Sequence, residues 1–322
     1  MEKGYMVLAS LVKGVEVEPQ EKEALFAEIT RLASTPGSEL ILSQLMSLTA
    51  TQLLEQPLNW LENIADLRRG SRAEDPMWRV PYSGIYAEVQ ALNSTPRISK
   101  IYEKTVKATK VQIGVRPKVD QNDLVKRPEL LVESLREAVI RMESEMVKYI
   151  QDAMMTVYTG LGSPNYETGA NVVAATLKSQ INTIKQLTGS PVTVIGDIGM
   201  VDQLTALTGF NSNVADQLMI EANAMRFLGT FYSSNVVELT NRYVDESSIA
   251  LSNSLLRRDL LFIVPTGAVD LRPLKVFVGG DVQVRVRTNF EDGSLEYIMT
   301  QDFATAVVGN QKATAVYKDT NK

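Results

Sequence analysis

The spacing of apolar residues changes period several times along the chain, and each change marks an element. Leu25, Ile29 and Leu32 recur at helical spacing after Pro19, a residue suited to a first helical turn. Pro36-Gly37 breaks that helix, and a second apolar helix is predicted from Ser38 to Leu54. Pro57 then opens a third through Trp60, Leu61 and Ile64. Beyond residue 66 the pattern shortens to the two-residue period of a strand. MWRVPYSGIYAEVQAL (77–92) reads as extended, and Asn93–Pro96 as a turn. In RISKIYEKTVKATKVQIGVRPKV (97–119), Ile98, Val106, Val111, Ile113 and Val115 alternate with lysines and arginines. A typical strand is about 5–6 residues long. This run therefore predicts a long β-hairpin that outreaches its own domain, so it needs a surface elsewhere. A neighbouring copy of the same chain is the first candidate.

Helical spacing returns after Asp120–Asp123, whose side chains can cap free amides. Pro128 suits the first turn of a long helix. Leu131, Leu135, Val139, Met142, Met146, Ile150, Ala153 and Val157 make one stripe, ended by Gly160 and Gly162. About 30 residues at 1.5 Å each span about 45 Å, which makes this helix a spine. From 170 to 265 helix and strand alternate. Helices are predicted at 171–187, 200–207 and 214–225, and strands at 191–196, 231–239 and 260–264. These form a compact α/β lobe. Residues 274–317 alternate on both sides of Glu291-Asp292-Gly293, which signals a hairpin. The fold class is α+β.

Charge is segregated along the chain. Glu16, Glu18, Glu21, Glu23, Glu28, Glu39, Glu55 and Glu62 make the first 65 residues acidic. Arg79, Arg97, Lys100, Lys104, Lys107, Lys110, Arg116 and Lys118 make 66–119 basic. The two regions are complementary and can pair within a subunit or between subunits. The candidate intersubunit contacts are Arg97, Lys100, Lys104, Lys107, Lys110, Arg116 and Lys118 on the basic side. Glu21, Glu23 and Glu28 are the candidates on the acidic side.

The net charge of -5 argues against a dedicated nucleic-acid binder. The chain has neither cysteine nor histidine. That excludes disulfides, Cys/His zinc sites and His-based triads. Carboxylate and lysine chemistry remain. No catalytic residue, metal or cofactor is expected. Asp197 ends the strand VTVIGD where open α/β sheets place ligands, but no Gly-rich phosphate motif accompanies it. A helix cap is the plainer reading. The apolar run Tyr5–Val12 is too short to span a bilayer, so neither membrane contact nor a secretory leader is expected.

The order of parts resembles the major capsid proteins of tailed phages, the Hong Kong 97-type fold. Ile113–Lys118, followed by a polar turn and LVKRPELLVESLREAV, looks like that family's approach to its spine helix. Leu260–Pro265 resembles the strand closing the axial domain. Val282–Val286 with Phe303, Ala304 and Val307 resembles the last peripheral strands. The resemblance implies an N-terminal arm (1–65) and an extended loop (66–119). It also implies a peripheral domain (120–169 and 269–322) and an axial domain (170–268). It implies a non-enzymatic subunit that self-assembles into hexamers and pentamers of an icosahedral head, built in the host cytoplasm and found in the virion. The implied partners are further copies of the chain, a scaffolding protein, a portal and non-specifically contacted double-stranded DNA. Two rivals stand beside it: an encapsulin-type nanocompartment shell, and a cytosolic α/β enzyme using Asp197 and a lysine.

Overall fold

The computed structural model describes residues 2–35, 37–58, 65–84, 100–212, 227–239, 254, 257–266, 272–289, 294–308 and 311–322. From the N-terminus, α1 (Glu2–Lys13), α2 (Pro19–Ser34) and α3 (Glu39–Leu58) precede β1 (Asp66–Gly70), β2 (Met77–Gly84) and β3 (Lys100–Lys107). β4 (Val111–Val115), β5 (Lys118–Asp120), α4 (Gln121–Lys126) and the spine helix α5 (Glu129–Tyr158) follow. The lobe runs through β6 (Tyr166–Gly169), α6 (Ala174–Thr188), β7 (Val192–Asp197), α7 (Ile198–Thr205) and β8 (Phe210–Asn211). It continues with β9 (Phe227–Phe231), β10 (Ser234–Leu239) and β11 (Leu260–Pro265). β12 (Leu274–Asn289), β13 (Ser294–Val307) and β14 (Ala315–Asp319) complete the described elements.

Three sheets organise these strands. The first has the order β1-β12-β13-β4, with β5 also on β13. The second has the order β6-β14-β11-β7-β10-β9-β8. The third is the isolated pair β2-β3. α5 lies on the first sheet because its apolar stripe meets the inward side of β12 and β13. Leu131, Leu135, Met142, Met146 and Ile150 share one core with Val276, Val284, Tyr297, Met299 and Phe303. Tyr297 ties the two layers through its hydroxyl, which donates to Ser134 Oγ at 2.7 Å. Burial, less the effect of that bond, pushes its pKa up to about 12. The arm helices cover the same side: α1 packs on α3 and α5, and α3 packs on β12. Between β1 and β12, Lys275 is buried and bonds Asp66 at 2.9 Å.

The structure departs from the sequence expectations at several points. The basic run is not one strand. It breaks into β3, β4 and β5, and only β3 belongs to the isolated hairpin, while β4 and β5 pair with β13. The break falls at Ala108, which is buried at the hairpin root and whose N–H donates to Pro76 O at 3.0 Å. β14 does not join the first sheet, although Val316 shares the core of the spine helix. It inserts between β6 and β11 in the second sheet, because Ala315, Val316 and Tyr317 are buried there. The single strand expected over 231–239 is two, turning at Tyr232-Ser233, both with positive φ. Pro57 lies in the last turn of α3, and Trp60, Leu61 and Ile64 of the expected third helix lie outside the described residues. The helix expected at 214–225 and the turn 291–293 lie outside the described residues. The strands flanking that turn pair in register, Asn289 with Ser294.

Asp319, at the end of β14, is fully buried. Its carboxylate accepts from the N–H groups of Asn171 and Asn321 and from Gln203 Nε2, each at 2.9 Å. Burial alone would raise its pKa. The hydrogen bonds, helped by Lys322, outweigh burial and hold the carboxyl below its ordinary value. Its contribution to stability is therefore complete above the ordinary carboxylate range and lost as pH falls through the depressed folded value. Asp319→Ala should cost about 2–3 kcal/mol in chemical denaturation at neutral pH. The gap to wild type should narrow as pH falls below about 4. A pH-independent gap would contradict this account.

Candidate functional site at the hairpin and its root

β2 and β3 pair over eight positions, from Met77–Lys107 to Gly84–Lys100. Eight residues at about 3.3 Å make an arm of about 26 Å. Its two faces differ. Trp78 and Val80 are buried on one face, which Lys104, opposite Val80, shares at its exposed edge, whereas Arg79 and Lys107 are exposed on the other. Trp78 packs with Ala108, Phe277 and Ala304, with Ala306 beside them. Phe277 and Ala304 point to the side of the first sheet opposite the helices, since their neighbours Val276 and Phe303 face the spine. The hairpin root thus sits on the outer side of that sheet.

Polar contacts clamp the root. Arg72 Nη2 lies 3.0 Å from Asp302 Oδ1 and 3.3 Å from Thr300 Oγ1. Lys110 Nζ donates to Arg72 O at 2.6 Å and sits 3.9 Å from Asp302. Asp302 is largely shielded, with its side chain 14% exposed, so two cations converge on one carboxylate away from bulk water. Gln301 donates to the carbonyls of Gly279 and Gly280 at 3.0 and 2.9 Å, which holds the bulge of β12 beneath the clamp. Arg68 pairs with Glu74 and donates to Met77 O at 3.0 Å. Lys107 pairs with Asp75 at 2.5 Å in the open, and that hydrogen bond lowers the Asp75 pKa.

The structure distributes the candidate contact residues as follows. Lys100, Lys104 and Lys107 lie on β3, and Lys110 lies at the root. Arg116 and Lys118 are exposed on the first sheet, with Arg116 paired to Glu296. Arg97 lies outside the described residues. Glu21, Glu23 and Glu28 are exposed on α2, and Glu28 pairs with Arg31, whose hydrogen bond lowers its pKa. Among the described residues, the carboxylates that meet Lys107, Arg116 and Lys110 are Asp75, Glu296 and Asp302. Sequence reasoning missed these, together with Arg72 and the anchor Trp78. The acidic Asp302, immediately before the mostly apolar run 303–308, was the available signal. Asp197 is a helix cap, its Oδ1 accepting from Gly199 N at 2.9 Å, with Arg258 3.8 Å away. Among the described residues no cluster of carboxylates could hold a metal ion, and no helix is long and apolar enough to cross a membrane.

A family model described as "SPbeta prophage-derived putative capsid protein YonB" matches residues 42–317. A search of the curated proteins finds no match. Among solved structures, the chain is similar to one from Mycobacterium phage Cain, at 12% identity and a TM-score of 0.52, covering 82% of this chain and 89% of that one. It is similar to one in the satellite phage P4 procapsid including size determination (Sid) protein, at 10% identity and 0.51, covering 84% and 90%. A third, the virus-like particle from Pyrococcus furiosus, shows 11% identity and 0.47, covering 84% and 97%. At these identities the likeness is one of fold.

Removing the shielded carboxylate should loosen the hairpin without unfolding the sheet. Asp302→Ala should speed amide hydrogen exchange in 77–84 and 100–107 by about tenfold, the effect of losing ~1.5 kcal/mol of charged hydrogen bonding. Lys107→Ala, which removes an exposed pair, should change exchange by less than about twofold. Equal effects of the two substitutions would show that burial of the clamp does not matter.

Proposed function

This chain belongs to the family described as "SPbeta prophage-derived putative capsid protein YonB", and from that membership we propose that it is the major capsid protein of a phage head. It has the capsid fold of phage shells. In the proposed role, copies form hexamers and pentamers that close into an icosahedral shell around double-stranded DNA. A separate scaffolding protein and a portal would take part, with assembly in the host cytoplasm before the shell becomes the virion. The DNA contact would be non-specific.

One observation carries the step from fold to assembly. Among the described residues the β2-β3 hairpin joins neither large sheet, and the packing partners of Trp78 lie at its root. A two-stranded hairpin alone is marginally stable in water. An arm of about 26 Å anchored at one end therefore calls for a second surface beyond its root. A neighbouring copy supplies one at every position of a shell. Within this reading 1–65 is the arm, the loop narrows to the hairpin 77–107, and the first sheet with α5 is the peripheral domain. The second sheet, including β14, is the axial domain.

Purified protein viewed by negative-stain electron microscopy, with light scattering, is expected to give rings, tubes or closed shells. The ratio of absorbance at 260 and 280 nm should report nucleic acid inside closed shells formed in cells. Shells that hold an enzyme cargo in place of nucleic acid would point to a nanocompartment. A dimer or tetramer that stays small at high concentration, even with a candidate scaffold added, would overturn the capsid reading.

A further inference from the structure

The outer side of the first sheet carries a basic face away from the hairpin root. Past the bulge, β12 alternates: Val282 and Val284 are buried and Val286 is half-buried, whereas Gln283, Arg285 and Arg287 are exposed. Arg285 is opposite Ile298 and Arg287 is opposite Glu296 on β13. On the far side of β13, Lys118 is opposite Glu296, and Arg116 follows in the same register. The face is thus a central strand bearing Glu296 and the 39% exposed Ile298, flanked on both sides by cations. Glu296 is engaged by Arg116. Arg285 and Arg287 make no ion pair among the described residues. As alternate residues of one strand they stand about 6.8 Å apart.

A complementary set is exposed elsewhere on the same chain. Gly14 leaves α1 with φ at 76°, and Val15-Glu16-Val17-Glu18 runs outside any helix up to Pro19. Glu18 is extended, at φ -55° and ψ 133°. Glu16, Glu18, Glu21 and Glu23 are exposed and make no ion pair among the described residues. If the segment is extended throughout, Glu16 and Glu18 share one side about 6.8 Å apart, the same repeat as Arg285 and Arg287.

We propose that the Arg285–Arg287 face of one copy receives the acidic segment Glu16–Glu23 of a second copy, a contact that rests on reading the chain as a shell subunit. Among the described residues the two sets remain unpaired within one subunit, for a structural reason. α1 packs on α3 and α5 on the helical side of the sheet, and the arginines project from the other side. Because the two patches differ and each copy carries both, the contact is head-to-tail. Such heterologous contacts generate rings when the rotation closes. A nucleic-acid backbone is the lesser fit. Glu296 places a carboxylate in the middle of the face, among the described residues no aromatic ring accompanies the arginines on their exposed positions, and the chain's net charge is -5.

Charge exchange tests this in the full-length protein. Arg285→Glu with Arg287→Glu should raise the concentration needed for assembly by about tenfold or more, as should Glu16→Arg with Glu18→Arg. The quadruple variant should regain most of the lost assembly. Melting of the unassembled chain should be unchanged. The milder Arg285→Gln with Arg287→Gln gives the same readout if the reversed charges disturb folding, and should still weaken assembly. Normal assembly of either pair, or failure of the quadruple variant to recover, overturns the contact. Arginine variants that assemble normally but lose packaged nucleic acid would assign the face to nucleic acid and also overturn it. Wild-type protein that never assembles in the same assay would sink the shell reading itself, a result distinct from the others.

Discussion

The apolar stripe of α5 packs against the inward side of β12 and β13, and the layout of the subunit follows from that contact. The two longest described strands, paired across Leu274–Val307, supply a flat surface, and a helix of 30 residues spans it. Alternation then leaves every second residue of those strands facing away. Near one end Phe277 and Ala304 receive Trp78 and anchor the hairpin. At the other end Arg285 and Arg287 face solvent. A one-residue shift of register would exchange these two sides completely. The hairpin's base and the basic face are in this sense consequences of how the spine helix packs.

Elements with a strong local pattern were legible in the sequence. The stripe from Leu131 to Ile150 predicted α5, Val192–Gly196 and Leu260–Val264 predicted two buried strands, and the alternation around Asp292 predicted the β12-β13 pairing. What failed was assignment of strands to sheets. The periodicity of 97–118 is continuous in the sequence, but β3 and β4 serve different sheets. Nothing local distinguishes a strand that pairs with residue 80 from one that pairs with residue 301. β14 is a similar case. Its burial depends on partners more than 50 residues away, Leu260–Ile263 and Tyr166–Gly169, and no pattern within Ala315–Asp319 names them.

The candidate contacts were legible as charge but not as geometry. The lysines near the hairpin were found because they are basic, yet Lys107 and Lys110 are already met by Asp75 and Asp302 in the same chain. Their carboxylate partners come from a turn and a strand that the sequence places far apart. Arg285 and Arg287 drew no notice because they sit in an ordinary amphipathic strand. Their significance lies in a row of neighbours on β13 and β5 that only the register reveals. A basic count over a segment measures potential, whereas pairing decides which charges remain for a partner.

That distinction bears on how a shell is held together. A single exposed ion pair contributes about 0–1 kcal/mol, too little to fix two subunits. In a ring each copy both gives and receives every contact, so weak terms repeat around the circuit. Closing the last contact costs little further freedom because the partners are already held nearby. Weak contacts also let misplaced subunits leave before an error is enclosed. In the proposed shell the hairpin and the basic face would divide this work. An arm that stays marginal until covered would supply area, and charges of fixed spacing would select orientation by making the wrong juxtaposition repulsive. The clamp at Asp302 belongs to neither contact. It joins them, since Arg72 and Lys110 tie the arm to the same strand, β13, that carries Glu296 and Ile298 into the basic face. In the proposed shell one strand would thus hold both the arm's anchor and the surface offered to the next copy.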